Sequence, residues 1–145
     1  MPPTRNRPSS GFSILVEIVG VGSSVFTEVE SLGSESEVVE ALEGGLNHQG
    51  GLKFPRRARF PNVTLRRGLT SDRTLWDWRQ AVVEGHSYRR EVLIALLDDA
   101  GRPVLRWRLH GAWPAKWALS ELDASKDEQA METVELAYDA LELDS

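Results

Sequence analysis

The sequence lacks cysteine altogether, which excludes disulfide bonds and thiolate metal sites. Long hydrophobic runs are also missing. The longest of them, such as residues 92–97, fall far short of the roughly 20 apolar residues of a membrane-spanning helix. No apolar segment directly follows Arg5 and Arg7, so no secretory signal is predicted. We therefore expect no membrane anchoring, and the absence of cysteine fits a reducing cytoplasm.

Positive charge is scarce for a protein that would bind nucleic acid. Seventeen Lys and Arg residues stand against 22 Asp and Glu residues, a formal net charge of -5. General nucleic-acid binding depends mainly on neutralising phosphates, so the composition argues against it. A negatively lined channel could still pass nucleic acid without holding it. The single basic cluster, Lys53 with residues 56–59, is predicted to be a subunit contact or a solvated loop.

The residue patterns of catalysis are absent as well. The three histidines, His48, His86 and His110, share no spacing that would pair them on a metal ion. The glycine pairs at 44–45 and 50–51 are not followed by the Gly-Lys-Ser/Thr of a phosphate loop. Because no nucleophile, base and orienting group occur together, we expect neither an enzyme nor a cofactor.

The length of 145 residues fits a single domain that can bury a proper core. Residues 1–10 are rich in Pro, Ser and Arg and are predicted to form a flexible N-terminal arm. Residues 43–61 are predicted to form a long interaction loop, because a loop of this length in a small domain is usually functional.

Alternating apolar residues predict several β-strands. Strands are expected at residues 12–18, 25–29, 62–67, 87–97, 103–110 and 113–119, with a hairpin turn at 98–102. On the strand 103–110, Leu105, Trp107 and Leu109 face one side. Arg106, Arg108 and His110 face the other side. Residues 34–42 are compatible with an exposed strand or with a helix.

One helix is predicted between Ser71 as N-cap and Gly85 as the residue that ends it. Its apolar stripe consists of Leu75, Trp78 and Val82. The C-terminal segment 129–143 fits both helical and strand spacing, and its pattern alone predicts a helix. Many strands with one helix indicate an antiparallel barrel or sandwich whose edges need cover or a partner.

Several segments in a fixed order closely resemble the phage tail tube protein family. They are PNVTLRRG (61–68), LTSDRTLWDWRQAVVEG (69–85), FTEV (26–29), LDD (97–99), AWPAKW (112–117) and METVELAY (131–138). The resemblance implies a mainly β fold: a small antiparallel β-barrel with one packed α-helix, related to the type VI secretion tube (Hcp-like) subunit. It also implies that the C-terminal segment is a long strand.

The same resemblance implies a structural subunit of the inner tube of a contractile phage tail or contractile injection system. Hexameric rings would stack into a hollow tube that conducts DNA or an effector protein. The expected partners are further copies of the chain, a contractile sheath protein, baseplate or spike proteins and tube-terminating proteins. Assembly is expected in the bacterial cytoplasm, and the product would be a virion tail or an injection particle.

Candidate subunit-interface residues lie in the long loop and among the tryptophans. Trp78 and Trp107 are predicted core residues, whereas the positions of the other tryptophans leave core packing and subunit contact open. The candidates are Leu52, Lys53, Phe54, Arg56, Arg57, Trp113 and Trp117. The alternative function is a monomeric β-barrel that binds a small apolar ligand, which the strand count and the aromatic residues also permit.

Overall fold

The computed structural model describes residues 11–41 and 51–144. Within these ranges the chain forms ten β-strands and one α-helix. The strands are β1 (Ser13–Ile18), β2 (Gly22–Phe26), β3 (Glu28–Glu30), β4 (Glu35–Ala41), β5 (Leu52–Arg59), β6 (Val63–Gly68), β7 (Arg90–Leu97), β8 (Pro103–Leu119), β9 (Met131–Ala137) and β10 (Ala140–Leu143), and the helix is α1 (Thr74–Glu84). The predicted N-terminal arm and the first part of the predicted interaction loop lie outside the described residues.

An antiparallel sheet of eight strands makes up most of the fold. Its order is β2-β1-β7-β8-β9-β6-β3, and β10 pairs with β8. The first half of β8 lies between β7 and β10, and its second half pairs with β9. Gly111 stands between these halves with φ +63°, and a Cβ there would lie 2.7 Å from an Asp139 carboxylate oxygen. The two strands predicted at 103–110 and 113–119 are therefore one long strand that bends at a glycine.

Every second residue of β6 and β9 points into one hydrophobic core, to which the other strands also contribute. Fully buried members come from strands on both sides of β8, and α1 adds Leu75 and Trp78. The buried strand residues include Val16, Ile18, Phe26, Val63, Leu65, Val92, Ile94, Leu109, Val134 and Leu136. Each buried aliphatic or aromatic side chain of this size stabilises the fold by about 1.5–3 kcal/mol. The predicted mainly β fold with one packed helix is confirmed.

The sheet curves around this core but does not close into a full barrel, because the strands at its two ends do not pair with each other. The two ends of its path, β2 and β3, follow each other in the chain, and β3 pairs with β6. At the bend between them, the Thr27 amide and hydroxyl both donate to the Arg66 carbonyl, at 2.9 and 3.0 Å. The predicted barrel is thus incompletely closed in the described residues, because single hydrogen bonds replace strand pairing at this seam.

Helix α1 begins later than predicted. Ser71 does not cap it. The N-cap residue is Arg73, whose side chain makes no capping hydrogen bond. The preceding Asp72 carboxylate accepts hydrogen bonds from the Thr74 amide at 3.0 Å and from the Thr74 hydroxyl at 2.6 Å. The predicted end at Gly85 is correct, since this residue adopts φ +77° and the His86 amide donates back to the Ala81 carbonyl.

Two segments differ from their sequence-based predictions. The second half of the predicted loop is strand β5, which pairs with β4 along its length. It lacks alternation because all its side chains are exposed. The C-terminal segment is extended, so its helical interpretation is wrong. The single long strand is interrupted at Tyr138 and Asp139, where the Asp139 amide donates to the His110 carbonyl.

Candidate assembly surfaces

Strands β4 and β5 form a hairpin that stands apart from the main sheet. They make up a separate two-stranded sheet and pair with no other described strand. Val38, Leu52 and Phe54 expose 64%, 57% and 48% of their surface. Leu52 and Phe54 lie on one face of the hairpin and Val38 on the other, and large apolar side chains exposed on a projecting element are typical of a protein contact. We call residues 35–41 together with 52–59 the projecting hairpin.

Five of the seven predicted interface residues lie on the projecting hairpin. Leu52 and Phe54 face Ala41 and Val39 across the strand pair. Lys53 lies opposite Glu40, and the Arg56 Nε atom lies 3.1 Å from a Glu37 carboxylate oxygen. Arg57 is exposed on the same strand. The structure thus brings these five residues together on β5, and their contact with another subunit stays a prediction.

The remaining two candidates, Trp113 and Trp117, lie on the second half of β8. The Trp117 Nε1 atom donates to a Glu132 oxygen at 2.7 Å, and its ring packs edge-on against Trp76 at 4.8 Å. Trp113 packs against Tyr88 at 5.8 Å. Both side chains are half-buried within the chain. The structure does not group them with the projecting hairpin, and their role at a subunit contact stays a prediction.

A buried ion pair joins the neighbouring strands β6 and β9, and its arginine also contacts β2 across the seam of the rolled sheet. The Arg67 Nε atom donates to Glu132 at 2.9 Å, and the two side chains are only 6% and 2% exposed. The Arg67 Nη1 atom also donates to the Ser24 hydroxyl at 2.8 Å, and the guanidinium lies 5.2 Å from the centre of the Phe26 ring. Arg67 therefore reinforces the pairing of β6 with β9 and also holds β2, to which β6 has no strand pairing.

Sequence reasoning missed this pair, although a signal for it exists. In VTLRRG, Arg67 falls on the same strand face as Val63 and Leu65. In METVELA, Glu132 shares a face with Val134 and Leu136, and all of these are buried. Two opposite charges on core-facing positions of different strands predict a buried salt bridge, since isolated buried charges are strongly disfavoured.

The face of β3, β6 and β9 that turns away from the core is polar. Arg66 pairs with Glu30 and lies 3.5 Å from Glu28. The Asn62 side chain donates to Glu135 at 3.0 Å. Between them lie only short or polar side chains, including Thr64 and Thr133. We call this surface the polar sheet face.

A second charged surface lies on β7, β8 and β10. The His110 ring is held between Glu91 at 2.8 Å and Glu142 at 2.6 Å. Arg108 lies 3.6 Å from Glu91 and 3.7 Å from Asp144. The hydrogen bond with Glu142 raises the pKa of His110, against a smaller opposing effect of desolvation. These contacts favour the charged imidazolium at this position.

The described residues carry no arrangement that points to metal chemistry. No group of three or more His, Cys, Asp or Glu residues among them could hold a metal ion. Within the same part of the chain, no helix has the length and apolar character needed to cross a membrane. The surfaces described above can bind other molecules through apolar contact and charge.

Solved structures share this fold. A structure of the anti-feeding prophage (AFP) baseplate contains a chain that is 24% identical, with a TM-score of 0.78 over 92% of this chain and 91% of that one. The sheath-tube complex of an extracellular contractile injection system (PVC) contains one that is 23% identical, with a TM-score of 0.77 over 91% and 88% of the two chains. Hcp1 from Salmonella typhimurium is 12% identical, with a TM-score of 0.63 over 90% and 84%.

The comparison with curated proteins gave no match. The family described as T4-like virus tail tube protein gp19 matches residues 10–142, which is most of the chain. This family consists of structural tube proteins rather than enzymes. The match covers both the projecting hairpin and the main sheet. The chain therefore belongs to the T4-like virus tail tube protein gp19 family.

Proposed function

We propose that this tail tube protein closes into hexameric rings, which stack into the hollow inner tube of a contractile phage tail or contractile injection system. The tube would conduct DNA or an effector protein. The observation that carries the proposal is the projecting hairpin. Its apolar side chains Val38, Leu52 and Phe54 are about half exposed or more and have no cover from the described part of the chain.

Open strand edges support repeated self-association. Within the described residues, β2, β3 and β10 each pair with one strand only. Unpaired edges of this kind favour pairing with another chain. A head-to-tail contact between identical copies gives a ring when its rotation closes, and a contact that does not close gives an open filament. A stacked tube needs a contact that closes within each ring and a second contact, between rings, that does not close.

The polar sheet face supports passage of a cargo. It carries both signs of charge, Glu28 and Glu30 beside Arg66, and short hydroxyl side chains, Thr64 and Thr133. A surface of mixed charge stays wetted and lacks the uniform field that would hold a charged cargo. We assign this face to the lumen of the proposed tube.

The proposed partners follow the assemblies in which the similar chains occur. The structures include a baseplate, a sheath-tube complex and a tube-terminating cap. We propose that this chain contacts a contractile sheath protein, baseplate or spike proteins and a terminating protein. Assembly would take place in the bacterial cytoplasm.

Electron microscopy of the purified protein tests the proposal. We expect rings or tubes, together with a mass in solution that is a multiple of the 16.2 kDa chain. A strictly monomeric protein at high concentration, without rings even beside its sheath protein, would contradict it.

Cysteine labelling of the assembled tubes tests the lumen assignment, because the chain has no cysteine of its own. A cysteine introduced by Thr133→Cys should react with a small maleimide but not with a maleimide attached to a large protein. Reaction with both reagents would place this face outside the tube, and reaction with neither would place it in a contact.

The alternative, a ligand-binding monomeric barrel, gains no support from the interior. Such a protein needs a hollow apolar cavity. Here the positions that point inward are filled by tightly packed side chains, among them Leu65, Ile94 and Leu109, each at most 1% exposed.

A further inference from the structure

The two strands of the projecting hairpin carry opposite charge. The charged residues of β4 are all acidic: Glu35, Glu37 and Glu40. The charged residues of β5 are all basic: Lys53, Arg56, Arg57 and Arg59. All seven are exposed. The hairpin therefore presents a negative edge along β4 and a positive edge along β5.

Pairing within the hairpin leaves most of this charge available. Arg56 and Glu37 lie 3.1 Å apart, and both side chains remain more than 60% exposed. Glu35, Lys53, Arg57 and Arg59 make no ion pair with the described part of the chain. In the strand register Glu35 lies opposite Arg59 and Glu40 opposite Lys53, but neither of these pairs forms an ion pair and all four side chains stay exposed.

We propose that the hairpins of neighbouring copies lie side by side, with the acidic β4 of one copy against the basic β5 of the next. The occupant of this surface is thus a second copy of the chain, and the inference rests on the proposed ring. Each copy offers both edges, so the contact is head-to-tail and passes from copy to copy. Arrangements that place β4 against β4, or β5 against β5, would oppose like charges and are disfavoured.

The apolar residues of the hairpin fit the same arrangement. Val39 pairs with Phe54, and Ala41 pairs with Leu52, so these four side chains share one face. Hairpins placed side by side would join these faces into a continuous apolar strip. Pro55 has no amide hydrogen to donate, which limits uncontrolled ladder formation along β5. Side-chain charge therefore selects which edges meet.

Charge reversal on each strand tests the proposal. One variant carries E35K, E37K and E40K, which makes both edges positive. A second carries K53E, R56E and R57E, which makes both edges predominantly negative. Each variant alone should lose assembled tubes by at least about tenfold, measured by sedimentation and electron microscopy, because like charges oppose each other between copies. Mixing the two variants should restore assembly.

The mixing step separates contacts between copies from damage within one copy. Repulsion inside each altered hairpin is the same before and after mixing, so recovery can come only from contact between different chains. A chain with all six substitutions should assemble with itself but not with the wild-type chain. Unchanged thermal unfolding of each variant would show that the main sheet is intact.

The outcomes distinguish this inference from the proposed function. If the wild-type protein forms no rings or tubes, the proposed function fails. If it forms them and each charge-reversed variant does so equally well, only the hairpin contact is overturned. A mixture that stays unassembled also overturns it. Tubes that form from each variant but no longer bind sheath protein would identify the sheath as the occupant instead, against the proposal.

Mixed cysteine variants give an independent readout. Ser36 and Ala58 lie opposite each other in one hairpin, one on each strand. Tubes assembled from a mixture of S36C and A58C chains should form disulfide-linked dimers on mild oxidation. Tubes of either single variant alone should form few. Equal crosslinking in all three samples, or none in the mixture, would overturn the arrangement.

Discussion

The main sheet and the projecting hairpin are built from the same kind of antiparallel strand pairing, yet they differ completely in burial. In the main sheet, Leu65, Ile94 and Val134 are at most 1% exposed. In the hairpin, every residue of β5 is exposed. An isolated two-stranded hairpin is at best marginally stable in water. The main sheet therefore accounts for the stability of the chain, and the exposed apolar residues of the hairpin are best explained by binding to another molecule.

Breaking the buried ion pair should have the largest effect on the main sheet. Arg67→Ala leaves Glu132 buried and uncompensated, so we expect a loss of about 3–5 kcal/mol in the free energy of unfolding. Urea denaturation measures it. Replacing both partners by apolar residues, Arg67→Met with Glu132→Leu, should recover most of the loss. A loss below about 1 kcal/mol would show that the pair is not effectively buried.

A smaller loss is expected at the bend of β8. Gly111 has φ +63°, and a Cβ would lie 2.7 Å from Asp139. Gly111→Ala should therefore lower the free energy of unfolding by about 1–3 kcal/mol. Gly101→Ala is a matched control, since it also has a positive φ, +81°, but its Cβ would meet nothing within 4 Å. Equal losses at both sites would mean that backbone strain alone, rather than the close approach of Asp139, determines the cost.

A substitution in the projecting hairpin should impair assembly while leaving the stability of the monomer almost unchanged. Phe54→Ser removes an exposed side chain, so the free energy of unfolding of the monomer should change by no more than about 0.5 kcal/mol. Assembly should be lost, because the same side chain is proposed to be buried between copies. Val83→Ser on α1 is the control, being 61% exposed and away from the hairpin. If Phe54→Ser formed tubes in normal yield, the exposed side chain of Phe54 would not be part of a contact between copies.

The smallest effect on stability is expected from the substitution His110→Gln. Its pKa is raised in the folded chain, chiefly by the hydrogen bond with Glu142. A raised folded pKa stabilises the fold at pH values below the unfolded pKa, and the stabilisation is lost as pH rises through the folded pKa. The melting temperature of the wild type should therefore exceed that of His110→Gln slightly more at pH 5.5 than at pH 8. A constant difference would show that the charge is irrelevant.

The sequence predicts the main sheet better than the hairpin for the same physical reason. In β1 and β6, buried residues alternate with less buried ones, so alternation reveals these strands. β5 is exposed on both sides and contains Pro55, so its sequence pattern predicts a loop. The segment 129–143 fits both the helical and the strand period, and the pairing of β9 with β6 and β8 makes it a strand. Such pairing depends on residues far away in the sequence.

The candidate surfaces were predictable in part. The basic cluster around Arg56 and Arg57 marks the hairpin in the sequence, and the structure adds the facing acidic strand β4. Residue type alone makes Trp113 and Trp117 interface candidates, and the structure supplies partners for both within the chain. The sequence places Arg67 in the motif PNVTLRRG but indicates no role for it. Its position opposite Glu132 depends on strand register, which residue type does not reveal.

Hydrogen–deuterium exchange of the free chain and of the assembled tubes tests the central claim most directly. Core amides, such as those of β6 and β9, should be protected in both states. Amides of β4 and β5 should exchange rapidly in the free chain and become protected in the tubes, since an isolated hairpin opens readily. Hairpin amides that exchange equally fast in both states would contradict the claim that the projecting hairpin is a contact between copies.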